Sequence, residues 1–235
     1  MSIKDIFPIH DWDFESASIF SNLSADDLSR LMARKTESHY RRGEIIFREG
    51  AYPLAIYFIV TGKAKKYKVD QDGSEQIIYV AAAGELMGYH AVLSDDPYAD
   101  SAAALEDSVI ACIHREDFLA AIDQSAEFCR KVLKALSHEF SVLTNSLTTG
   151  MRRPARERLA LQLVVIREKY KLNGNTGAAV EIDMSRNDLA AATGLARENV
   201  VRILADFKKA GIVETVGRKI VVLDINKLVE IANWR

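Results

Sequence analysis

Ser185-Arg186-Asn187-Asp188-Leu189-Ala190-Ala191-Ala192-Thr193-Gly194-Leu195-Ala196-Arg197-Glu198-Asn199-Val200-Val201-Arg202-Ile203-Leu204 decides the fold of the C-terminal part of this chain. Ser185 followed three residues later by Asp188 is a capping-box-like start, and a short helix is expected from there through Thr193. Gly194 supplies a backbone without Cβ at a sharp turn, and Leu195 can plug the angle between two helices. A second helix then runs from about Ala196 to Ala210. In it Val200, Ile203, Leu204 and Phe207 fall at i, i+3, i+4 and i+7 and must face a core. Arg197, Glu198, Val201 and Arg202 are left on the opposite side, near the helix N-terminus. Gly211 to Leu223 then reads as two strands around a tight Gly217-Arg218 turn, a wing that carries Arg218 and Lys219. Capped short helix, glycine turn, Arg- and Glu-bearing helix and basic wing, in that order, describe a winged helix-turn-helix. The plainer alternative is a small helical domain ending in a hairpin, its charges merely solvated.

Upstream, Lys171 to Ala179 is rich in Asn, Gly and Thr and reads as a loop, preceded by a helix through Arg158 to Tyr170. Further back, Ala126, Cys129, Leu133, Leu136, Phe140, Leu143 and Leu147 alternate three- and four-residue steps along one stripe of a long helix. So narrow a stripe suits a second helix. Symmetric pairing of two chains through Leu133, Leu136, Phe140, Leu143 and Leu147 is the expected use, and packing on the helix's own domain is the alternative. Gly150 is expected to end the helix, with Met151-Arg152-Arg153-Pro154 as a hinge.

Between Tyr40 and Phe118 the pattern changes to short β-prone runs: Glu44 to Phe47, Ala55 to Val60, Ala64 to Val69, Glu75 to Val80 and Ser108 to Ile113. Gly43, Gly50, Gly62, Gly73 and Gly84 punctuate them, as expected of a small antiparallel sandwich or barrel. No amphipathic helix long enough for a parallel crossover intervenes. Ahead of this region, Ile19 to Met32 predicts a short helix with Ser24 as its cap.

The chain has 235 residues, 49% apolar and 27% charged, a globular composition with room for two domains. No apolar run reaches membrane-spanning length and no signal peptide is evident at the start, so a cytoplasmic protein without membrane contact is expected. Cys112 and Cys129 are too few for a disulfide framework. The net charge of −2 hides an asymmetry: residues 1–149 carry 15 basic against 23 acidic side chains, and residues 150–235 carry 16 against 10. A basic C-terminal third suggests a polyanionic partner. No Gly-x-Ser-x-Gly, phosphate loop or paired-carboxylate helix is present, which leaves an enzyme as the weakest class.

Thr193 to Leu204 resembles the DNA-binding signature of the cyclic-AMP receptor protein and fumarate and nitrate regulator family. The β-rich part is similar to the family's sensor: Arg42-Gly43-Glu44-x-x-Phe47-x-Glu49-Gly50, Tyr57-Phe58-Ile59-x-x-Gly62, Asp72-Gly73 and Gly84-Glu85-Leu86-x-Gly88 stand in family order. The resemblance covers nearly the whole chain. It implies an α+β architecture: an N-terminal cyclic-nucleotide-binding-like β-roll (a double-stranded β-helix or jelly roll) over residues 1–124, a long dimerisation helix over 125–150 and the winged helix-turn-helix over 151–235. It also implies a homodimer, double-stranded DNA and RNA polymerase as partners, and a palindromic TGTGA-like operator. Arg197, Glu198 and Arg202 match the base-reading positions, and their chemistry agrees: Arg bonds guanine O6 and N7, and Glu accepts from cytosine N4. Val201, Lys219, Arg218 and Ser185 complete the expected DNA-facing set. Many relatives have Ser or Thr where this chain has Ala196, so the first amides of the helix lack a side-chain cap and are open to phosphate. The runner-up function is a ligand-sensing module whose winged domain docks on a protein.

In cyclic-nucleotide binders of this kind a Gly-Glu-Leu turn contacts the ribose and an Arg-Ser pair binds the cyclic phosphate. Here Gly84, Glu85 and Leu86 keep the turn and Ser101 keeps the serine, but Asp100 replaces the arginine. A carboxylate about 4 Å from a phosphate, with no compensating cation, is repelled by about 4 kcal/mol at an effective dielectric near 20. The expectation is therefore no cyclic AMP and no cofactor, with another small-molecule effector left open. Two separated cysteines cannot ligate an iron-sulfur cluster, and His90, the one histidine of the pocket segment, does not by itself make a haem site.

Overall fold

The computed structural model describes residues 3, 5–21, 23–171 and 180–234, with backbone only at 149–152. The chain divides into two compact units: Phe14–Lys68 with Val80–Ser141, and Met1–Asp13 with Val69–Tyr79 and Val142–Arg235. Compactness thus groups the chain differently from its linear order, because an N-terminal segment and a hairpin tip belong with the C-terminal residues.

Among the described residues the first unit holds eight strands: β1 (Thr36–Tyr40), β2 (Ile45–Phe47), β3 (Ala55–Thr61), β4 (Lys63–Val69), β5 (Glu75–Ala82, whose first half falls in the other unit), β6 (Leu86–Met87), β7 (Ser101–Ala104) and β8 (Ser108–His114). They form two four-stranded sheets, β1-β8-β3-β6 and β2-β7-β4-β5. The apolar runs expected as strands are β2, β3, β4, β5 and β8. Three further strands were not legible: β1 is Thr-Glu-Ser-His-Tyr, β6 has two residues, and β7 is built of Ser and Ala. Their strand character comes from the neighbours they pair with, β8, β3 and β4, rather than from their own side chains. The β3 to β4 turn requires glycine, since Gly62 has φ +88° and a Cβ there would meet Ser108 Oγ at 2.1 Å.

Among the described residues four helices accompany the sheets: α1 (Ala25–Met32), α2 (Tyr89–Ser94), α3 (Arg115–Gln124) and α4 (Ala126–Arg152, whose residues from 142 on fall in the other unit). Ser24 caps α1 as expected, its hydroxyl accepting from Asp27 N at 3.0 Å. The core of this unit gathers Ile19, Leu31, Ile56, Leu86, Tyr89, Ile113, Phe118, Phe128 and Val132. Helix α4 carries two apolar stripes. Phe128, Val132, Ala135 and Val142 are buried, whereas Leu133, Phe140 and Leu147 are 60%, 74% and 67% exposed. Of the stripe read from sequence, Leu133, Phe140 and Leu147 face outward, whereas Cys129, Leu136 and Leu143 are half-buried, Leu136 against the core. Gly150 does not end the helix, which continues to Arg152. An interior glycine costs about 1 kcal/mol and is tolerated, whereas Pro154 removes a donor and clashes with the preceding turn.

The second unit contains α5 (Ala155–Lys171), β9 (Glu181–Asp183), α6 (Arg186–Thr193), α7 (Arg197–Lys209), β10 (Val213–Val216), β11 (Lys219–Val222) and α8 (Ile225–Ala232). The Lys171 to Ala179 loop falls, from residue 172 on, outside the described residues. Strands β10, β11 and β9 form one sheet in that order. Helix α8, capped by Asp224 accepting from Lys227 N at 2.9 Å, packs on α5 and has no counterpart among the expectations above. The N-terminal segment is part of this unit. Phe7, 1% exposed, stacks on Trp12 and meets Trp234 edge-on at 5.8 Å. Asp13 Oδ1 accepts from Tyr79 Oη at 2.6 Å and from Lys169 Nζ at 2.5 Å, and Lys169 is itself only 3% exposed.

Candidate functional site

The C-terminal unit presents one helix with a sharply divided surface. In α7, Val200, Ile203, Leu204 and Phe207 are 0%, 2%, 3% and 0% exposed, as their spacing requires. Burying four such side chains supplies roughly 1.5 to 3 kcal/mol each and fixes the rotation of the helix about its axis. That rotation leaves Arg197, Glu198, Val201 and Arg202 exposed on the far side. Among the described residues Arg197 and Glu198 have no intrachain partner, and Arg202 makes only a long 3.9 Å contact with Asp206. The approach to α7 is rigid. Ser185 Oγ accepts from Asp188 N at 3.0 Å and donates to Asp188 Oδ2 at 2.6 Å, while Gly194 at φ +62° closes α6. Ser185 therefore uses its hydroxyl inside the protein. Ala196 makes no side-chain cap, so the first amides of α7 remain open, as the sequence indicates.

The wing differs from expectation in its electrostatics. Arg218 Nε lies 2.5 Å from Asp183 Oδ1 and Lys219 Nζ 2.7 Å from Glu181 Oε2, so both wing cations already have carboxylate partners on β9. Strand β9 was hidden because Glu181-Ile182-Asp183 is too short to read alone. Sequence reasoning also passed over Arg186, whose Nη1 and Nη2 donate to the carbonyls of Arg218 and Gly217 at 3.1 and 3.0 Å and tie the wing turn to the start of α6.

Of the residues expected to line an effector pocket, Glu85 and Asp100 both act on Glu139, and Asp100 also acts on His90. Gly84 turns the chain at φ +91°, and Glu85, Leu86, Asp100 and Ser101 are 4%, 3%, 5% and 8% exposed. Ser101 Oγ accepts from Glu49 N at 2.9 Å. Asp100 is not without a cation: Lys66 Nζ, on β4, stands 3.3 Å from Asp100 Oδ2, with both side chains 8% exposed. The expected lack of compensation is thus corrected, and a repulsion computed for a bare carboxylate no longer applies. Asp100 Oδ1, fully enclosed, has no hydrogen-bond partner among the described residues. Lys66 escaped notice because Ala64-Lys65-Lys66-Tyr67-Lys68 reads as an exposed strand, although Lys66 lies on the same face as buried Ala64. Glu139 was likewise unforeseen. Buried on α4 at 6% exposure, it accepts a very short hydrogen bond from Tyr89 Oη. Burial above all lifts its carboxyl to about 7, against the opposing pull of Lys66 and the Tyr89 bond. His90 goes the other way: burial, with Lys66 nearby, lowers it to about 4, so it is neutral at physiological pH. A neutral lone imidazole fits a polar wall, not a charged anchor.

Comparison with known proteins matches this architecture. The cyclic nucleotide-binding domain profile fits residues 37–125, and the Crp-like helix-turn-helix domain profile fits residues 157–231. The fumarate and nitrate reduction regulatory protein of Vibrio cholerae is 27% identical over 207 residues, covering 88% of this chain and 82% of its own. A CRP-like cAMP-activated global transcriptional regulator of Mycobacterium tuberculosis is 22% identical over 212 residues, covering 90% and 95%. The structure of FixK2 from Bradyrhizobium japonicum superposes with a TM-score of 0.75 at 26% identity, covering 84% of this chain and 96% of that one. These relatives are transcription regulators, not enzymes. A nucleotide-binding-type β-roll, a long helix and a helix-turn-helix of the Crp type, in that order, make this chain a member of the Crp/Fnr family of transcription regulators.

Proposed function

We propose that this regulator works in the cytoplasm as a homodimer joined through α4, and reads a palindromic TGTGA-like operator with Arg197, Glu198 and Arg202. The divided surface of α7 carries this reading: four buried apolar residues hold the helix while two Arg and one Glu near its N-terminus stand exposed. Exposed Leu133, Phe140 and Leu147 support the pairing, because a stripe with so much apolar surface is covered most simply by its symmetry mate. In a two-fold dimer the half-sites lie about one helical turn (~34 Å) apart.

The pocket reading is that cyclic AMP is not the effector. The Mycobacterium tuberculosis relative is cAMP-activated, but here Lys66 already faces Asp100, and Glu85 and Glu139 add buried carboxyl groups beside them. An incoming phosphate would have to take Lys66 from Asp100 and leave that carboxylate buried and unpaired, which costs several kcal/mol. Another small-molecule effector, and RNA polymerase as a further partner, remain compatible with the fold.

Selection from a random duplex library at two salt concentrations tests the DNA reading, with enrichment of a palindrome as the expected result. A docking role for the winged domain is favoured by Val201 and Val216, 46% and 70% exposed on α7 and the wing. Absence of any enriched palindrome, together with an Arg202→Ala profile identical to wild type, would establish that second reading as the better one.

A further inference from the structure

The wing cations do not meet DNA on equal terms with those of α7. In the ladder between β11 and β9, Ile220 stands opposite Ile182, and both are fully buried. Because side chains alternate along a strand, the residues on either side of them share the outer face. On β11 these are Lys219 and Val221, and on β9 Asp183 and Glu181 stand directly opposite them. Lys219 Nζ lies 2.7 Å from Glu181 Oε2. Arg218, at the turn, meets Asp183 with two nitrogens, Nε 2.5 Å from Oδ1 and Nη2 donating to Oδ2 at 3.0 Å. Arg186 donates to the carbonyls of Gly217 and Arg218, so the turn is held where these pairs form. On α7, by contrast, Arg197 has no carboxylate partner among the described residues, and Arg202 has only the 3.9 Å contact with Asp206. Ion pairs as open to water as those of the wing add little to stability. Their consequence lies in binding, because a carboxylate and a phosphate are alternative partners for the same cation.

We propose that Glu181 and Asp183 set the strength of DNA binding: they compete with backbone phosphate for Lys219 and Arg218, and so hold down the part of the affinity that does not depend on sequence. The inference rests on the reading of the winged unit as DNA-binding, with its wing against phosphate. Phosphate contact carries no sequence information, so the restraint falls on operator and random duplex alike and leaves base choice to α7. Its benefit is in the search, since a regulator held less strongly by phosphate leaves wrong sites sooner.

The test uses the full chain. Glu181→Gln and Asp183→Asn each keep the size of the side chain and remove its charge. Both variants should bind the selected operator and a random duplex more tightly than wild type, by about threefold or more at low salt, and the gain should shrink as salt rises. Losing a negative charge near DNA raises affinity by itself, so the decisive measurement is a double-variant cycle on the more exposed pair. Made on top of Lys219→Gln, Glu181→Gln should lose most of its gain, because the cation it would release is gone. A gain of equal size in both backgrounds would overturn the proposal, as would wild-type affinity in both single variants. Glu181, with a side chain 52% exposed, keeps the test independent of folding should Asp183→Asn disturb the less exposed site. If neither wild type nor any variant binds duplex DNA, the DNA-binding reading itself fails and takes this one with it.

Discussion

A single proton on Glu139 has a measurable signature in stability. Its carboxyl titrates at about 7 in the folded chain against an ordinary 4.5, so the native state binds that proton more tightly than the unfolded state between those values. Stability therefore falls as pH rises from 4.5 to 7, by about 3 kcal/mol in all, and the full loss stands above pH 7. His90 acts oppositely. Lowered from 6.5 to about 4, it makes stability rise with pH across that lower window, so only the difference between wild type and Glu139→Gln isolates the carboxyl. Urea melts of the two proteins should diverge up to pH 7 and run parallel beyond it; parallel curves throughout would refute the assignment. On the DNA-facing side, Arg202→Ala should cost about 1 to 3 kcal/mol per half-site and relax preference at one guanine. Lys219→Ala should weaken all sequences alike, though by less than a free lysine would, because Glu181 already neutralises it at 2.7 Å in the free protein. Fluorescence anisotropy against matched and mismatched duplexes separates these outcomes. Arg197, Glu198 and Arg202 were legible because helical spacing alone assigns their face. Lys66 and Glu139 were not, since a Lys in a strand and a Glu on a helix look like surface residues until distant chain segments cover them.

Helix α4 shows how far periodicity reaches. Three- and four-residue steps picked out exposed Leu133, Phe140 and Leu147 together with half-buried Cys129, Leu136 and Leu143, but they could not reveal that the next stripe, through Phe128, Val132 and Ala135, is the one sealed into the core. Two apolar stripes on one helix imply two different surfaces, and mutations should sort accordingly. Leu133→Glu with Phe140→Glu, at side chains 60% and 74% exposed, should give a monomer whose unfolding free energy per chain changes by no more than about 1 kcal/mol. Leu136→Glu should instead destabilise the fold, because it puts a charge against the apolar core cluster on which Leu136 packs. Sedimentation equilibrium paired with thermal melts distinguishes these cases, and a wild type already monomeric at micromolar concentration would remove α4 as a seam. Gly150 shows the limit in the other direction: the helix passes through it, because glycine weakens a helix and only the proline at 154 breaks one.

For the molecule taken whole, ligand response and chain connectivity are the quantities to measure. Cyclic AMP at low micromolar concentration should leave the melting temperature unchanged, since a ligand stabilises only as far as it prefers the folded state. A clear upward shift would mean that Lys66 can leave Asp100 for a phosphate. Lys169→Met should destabilise by about 1 to 3 kcal/mol, because Lys169, 3% exposed, pairs with Asp13, whose side chain is 27% exposed. The contact joins residues 156 positions apart in the chain. On the ribosome, Asp13 and the Tyr79 hairpin emerge long before Lys169 exists, and they must wait for it with their polar groups in water and Phe7 unsheltered. The C-terminal unit therefore closes last and non-locally, a topology that slows folding and leaves its pieces open to capture by chaperones in the interval.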